Sequence, residues 1–122
     1  MIIHSNEVVK LHDEVRIAMG WEFNGNGEVW NPKAPDREDP GFLLLDAFQP
    51  VWDMNHMDIL LQHLRLRGFG FNIDSYGDNL DLPFTCCLTY GASIVADRQA
   101  ETIPIAVCYA AIEAMKAINA EI

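Results

Sequence analysis

Apolar residues at Val8, Val9, Leu11, Val15, Ala18 and Met19 recur at helical spacing behind Ser5-Asn6-Glu7, and Gly20 stands where such a helix would stop. The period then changes. Trp21-Glu22-Phe23 and Glu28-Val29-Trp30 alternate apolar with polar around Asn24-Gly25-Asn26-Gly27, which predicts a β-hairpin with residues that tolerate positive φ at its tip. Pro32, Pro35 and Pro40 make Asn31 to Gly41 an expected exposed loop, and Phe42 to Phe48 is apolar without a decisive period. A second helix is expected to begin near Asp53 or Asn55, with Met57, Leu60, Leu61 and Leu64 on one face, Arg65 and Arg67 in its last turn and Gly68 as terminator.

Phe69, Phe71 and Ile73 alternate with polar residues, Gly77-Asp78-Asn79 breaks the chain, Phe84 to Tyr90 is β-prone, and Gly91 introduces Ala92 to Ala96. These are three strands. Thr102 caps a last helix that carries Pro104 in its first turn and apolar residues around most of its circumference. The order predicts an α+β fold, a mostly antiparallel sheet of about five strands with helices packed on it. A length of 122 residues suits one domain over 1–122. The circumference of the last helix predicts a homo-oligomer, because one face would meet a second subunit once the sheet covers the other.

Charge narrows the partners. A net charge of -10 disfavours direct binding to nucleic acid or an anionic membrane, and no stretch is apolar enough for a membrane span. The three cysteines, Cys86, Cys87 and Cys108, are expected to be reduced and to act as small apolar residues. With no leader-like N-terminus, these features together predict a cytoplasmic protein.

Catalytic and cofactor chemistry finds little support. His56 and His63 would share a helix face, but a rise of roughly 10 Å keeps both from one zinc ion. They are expected to be partly exposed. Apolar surroundings raise cysteine pKa values, and Gly68-Phe69-Gly70 precedes a strand rather than opening a phosphate-binding helix. No cofactor, metal or catalytic residue is therefore assigned. The aromatic and arginine residues are the candidate ligand-binding set: Trp30 and Trp52 for stacking, and Arg65, Arg67 and Arg98 for gripping phosphates. The same residues also fit a purely structural use, as core aromatics and helix-end charges.

Several pieces of the chain, in order, resemble the phage ABA sandwich domain family. They are Met19-Gly20-Trp21, Trp30-Asn31-Pro32, Arg65-Leu66-Arg67-Gly68, and the ending Tyr90 to Asp97 with Ala100 to Ala111. The likeness departs between Ala34 and Met54. It implies a phage or prophage origin, an α/β/α sandwich-like layering and an unknown or host-directed role, in the bacterial cytosol if phage-encoded. Joined to the candidate residues, it leads to the expectation of a non-enzymatic protein that sequesters a nucleotide-type immune signal. The alternative is an acidic protein-interaction module or DNA-mimic inhibitor, with Asp36, Glu38 and Asp39 as its contact; hidden hydrolysis is the third reading.

Overall fold

The computed structural model describes residues 5–33, 45, 47–75 and 81–120. Its elements follow the expected order: α1 (Ser5–Met19), β1 (Glu22–Phe23), β2 (Val29–Trp30), α2 (Met54–Leu66), β3 (Phe69–Ser75), β4 (Phe84–Tyr90), β5 (Ser93–Ala100) and α3 (Ile103–Ala120). The fold is α+β and all strand pairs are antiparallel. The five strands among the described residues divide between two sheets, β1-β2 and β3-β4-β5.

Local chemistry accounts for the boundaries. Gly20 and Gly68 end α1 and α2 with φ of 78° and 99°, a region that costs glycine little and other residues more. At Gly68 an added Cβ would also lie 3.2 Å from the Tyr90 ring. The Asp53 side chain caps α2 by accepting the Asn55 N–H at 2.9 Å, and the Thr102 hydroxyl accepts the Ile105 N–H at 3.3 Å at the start of α3. In the hairpin, the Asn24 side-chain oxygen accepts from the N–H groups of Asn26 and Glu28. Val29 also exchanges hydrogen bonds of 2.7 and 3.2 Å with Leu45, so part of the ambiguous apolar stretch pairs with the hairpin. The Asp36 to Asp39 segment and Gly77 to Asn79 lie outside the described residues.

β5 runs four residues beyond the expected Ala96, because Asp97, Arg98 and Gln99 stay in register with Cys87, Cys86 and Thr85 of β4. Register decides there where composition misled. By strand alternation, Phe71, Ile73, Cys86, Leu88, Ala96 and Ala100 share one face of the larger sheet. α3 packs across β4 and β5 on that face, α2 adjoins β3, and α1 packs on α3. No described helix covers the opposite face, where Asn72, Asp74, Asp97 and Gln99 are exposed. The polar alternation of β3 and β5 leaves that face with little apolar surface to bury.

α3 is central rather than peripheral. Ala106, Val107, Cys108, Ala110, Ala111 and Ala114 are fully buried against the sheet, α1 and α2. Their small side chains let three neighbours approach one helix. The apolar circumference that suggested a second subunit is therefore largely covered within the chain.

Candidate functional site

The structure disperses the five expected ligand-binding residues. Arg67, at the end of α2, donates to the Met19 main-chain carbonyl at the end of α1, and its other guanidinium nitrogen lies 3.8 Å from Met115 Sδ in α3. Burial lowers its pKa from the usual value, yet an arginine at such a site stays cationic. It thereby supplies a donor to one of the last carbonyls of α1, which have no donor within their own helix. Beside it, Trp21 is buried with its ring edge-on to Phe48 at 5.1 Å and to His63 at 5.0 Å. Its indole N–H has no hydrogen-bond partner among the described residues.

Arg65 lies over the Phe71 ring of β3 at 5.4 Å. Arg98, on β5, is engaged by α3 instead: it donates to a Glu113 carboxylate oxygen at 3.2 Å and lies 5.2 Å from the Tyr109 ring centre. β4 separates the two strands. Trp30 is half-buried in β2 opposite Glu22, in the other sheet. Trp52 is 52 % exposed in the turn before α2, with its ring edge-on to His12 of α1 at 5.0 Å.

Of the two helix histidines, only His63 departs from the expected partial exposure. His63 is buried against Trp21, and His56 is half-buried, accepting the Gln49 N–H through Nδ1 at 3.0 Å with Nε2 3.5 Å from Asp53. Among the described residues, no group of three or more histidine, cysteine, aspartate and glutamate side chains is arranged to hold a metal ion. Cys86, Cys87 and Cys108 are free thiols. Burial pushes Cys86 and Cys108 up to about 12, while a smaller burial effect, with Asp97 and Asp74 nearby, raises Cys87. At neutral pH these are thiols rather than thiolate nucleophiles.

Three grooves formed by described residues bear on binding. The largest, about 370 Å³, lies between α1 and α3 and is lined by Glu14, Ile17, Ala18, Ile112, Met115 and Lys116 among others. It contains neither an arginine nor an aromatic ring. A smaller groove of about 170 Å³ holds Arg65 and Phe71 together with Asp58. The third, about 230 Å³, brings Glu7 of α1, Gln99 of β5, Glu101 and Tyr109 of α3 around an apolar floor of Leu82, Ala100 and Ile105. The Tyr109 phenol is raised, first by burial and then by Glu7, with Glu101 and Glu14 adding and Arg98 opposing. This third groove combines apolar residues with two carboxylates and an aromatic ring that Arg98 already approaches. Such a set accepts a cation.

The chain matches no family model, no curated protein and no solved structure. The likeness to phage ABA sandwich proteins rests on the sequence pieces alone. Sequence reasoning missed the Glu7, Glu101 and Tyr109 groove because its members are scattered along the chain with no common spacing. The only signal was Glu7 in the first turn of α1 and Glu101 just before α3, which reads equally as helix-dipole compensation.

Proposed function

We propose that this protein is a non-catalytic binding module whose partner inserts a basic side chain, arginine or lysine, into the groove between Glu7, Glu101 and Tyr109. The carrying observation is the match of size and charge in that groove. At about 230 Å³ it falls below the range of roughly 300–1,000 Å³ usual for small-molecule sites, so one side chain suits it better than a nucleotide. A net charge of -10 draws a basic partner to the same surface. This is the acidic interaction module of the sequence reading, with its contact at the groove. The phage resemblance supports a host protein as the partner, met in the bacterial cytosol.

Sequestration of a nucleotide is the second reading, favoured by the guanidinium of Arg65 over Phe71. Against it, Arg67 serves the end of α1 and Arg98 is paired with Glu113, so the phosphate grip lacks two of its three expected members. Calorimetric titration separates the readings. An arginine- and lysine-rich peptide should bind saturably, and raising salt from about 0.05 M to about 0.5 M should weaken it several-fold. Cyclic di- and trinucleotides should give no heat. Saturable nucleotide binding without peptide binding reverses the choice.

A further inference from the structure

Two histidines on different helices hold one turn by the same kind of contact. His12 of α1 accepts the Val51 N–H through Nε2 at 3.2 Å, and His56 of α2 accepts the Gln49 N–H through Nδ1 at 3.0 Å. The turn between them is closed by the N–H groups of Trp52 and Asp53 donating to the Gln49 carbonyl at 3.0 and 2.8 Å. Pro50 is fully buried at its centre, while Trp52 stays half exposed against His12. An imidazole nitrogen accepts a hydrogen bond only while it carries no proton. The contacts therefore fix both tautomers, Nδ1–H for His12 and Nε2–H for His56, the latter directed at the Asp53 carboxylate.

We infer that the turn 49–53 is a latch released by acid: a proton on His12 Nε2 would face the Val51 N–H, and the turn with Trp52 would part from α1. The groups facing His12 come from three directions. Asp13 is its neighbour on α1 and lies 3.9 Å from Arg16, His56 approaches from α2 with Asp53 behind it, and the Trp52 ring comes from the turn. Burial lowers the His12 pKa below its ordinary 6.5, Asp13 opposes this and His56 reinforces it. The sign follows from linkage. The released turn takes up the proton more readily than the closed one, so the latch is fully held above pH 6.5 and lost as pH falls through the lower, closed-state value.

Hydrogen exchange followed by NMR tests this on the intact chain. Expressed as protection factors, the Val51 amide should lose about fivefold or more between about pH 7.5 and about pH 5.5, as expected for one hydrogen bond. Leu88 and Ala110, in the core, should stay constant over the same interval. His12→Gln, whose amide oxygen can accept without titrating, should flatten the Val51 response. Constant Val51 protection in the wild type, or loss in step with Leu88, overturns the latch. Should His12→Gln not fold, the imidazole ¹⁵N shifts of wild-type His12 decide: the Nδ1–H tautomer with a midpoint below pH 6.5 supports the latch, and the Nε2–H tautomer overturns it.

Discussion

At the seam where α1 and α2 end, the chain serves its own helix ends: Arg67 reaches the Met19 carbonyl, Gly20 and Gly68 turn the backbone, and the Trp21 ring is buried beside them. Beside Tyr109 the packing leaves a groove. There Glu7 and Glu101 border an open groove whose floor is apolar. The seam contains two of the motif-like sequence pieces, Met19-Gly20-Trp21 and Arg65 to Gly68, and these meet in space through Arg67. The groove contains little that sequence would single out. The difference teaches that the most motif-like residues of this chain build its fold, and that a site for a partner is better sought where packing leaves a groove.

This comparison can be broken from either side. The largest effect belongs to the seam: Trp21→Ala removes a fully buried ring and should cost about 3–5 kcal/mol in urea unfolding. A loss below about 1 kcal/mol would show that the ring is not a keystone. Arg67→Met keeps the stem but abandons the Met19 carbonyl, and should cost about 1.5–3 kcal/mol while leaving peptide binding intact. Reduced peptide affinity in a folded Arg67→Met chain would return that arginine to the binding set.

Gly68→Ala sharpens the seam at the backbone. With φ at 99° and the Tyr90 ring 3.2 Å from the new Cβ, it should lower stability by about 1 kcal/mol or more. Glu7→Gln is the converse test, because this exposed residue on the groove rim should change stability by less than about 0.5 kcal/mol yet weaken a basic peptide several-fold. Smallest of all is Thr85→Val. The Thr85 hydroxyl is buried with no hydrogen-bond partner among the described residues, so its removal should be neutral or slightly stabilising.

Much of the fold could be read locally. The Asn24 to Gly27 tip, the Asp53 and Thr102 caps, and the stops at Gly20 and Gly68 each follow from a few adjacent residues whose preferences agree. Strand ends were harder: Asp97 to Gln99 look like a loop until pairing with Thr85 to Cys87 is known. The same holds for Arg67, read as a partner for its own helix's dipole when its acceptor lies 48 residues away. The last helix leaves a related question open to packing alone, since an apolar circumference does not say whether α1 or another subunit covers it. The groove was illegible because α1, β5 and α3 must first pack before Glu7, Gln99 and Tyr109 become neighbours.

The most direct test of the central claim is chemical-shift mapping of ¹⁵N-labelled protein titrated with an arginine amide, the smallest probe of a basic side chain. The account predicts saturable shifts gathered at Gln99, Ala100, Glu101, Ile105 and Tyr109, and their loss in Glu7→Gln. Shifts gathered instead at Gln62, Arg65 and Phe71 with a nucleotide, and none at Tyr109 with arginine amide, would contradict it.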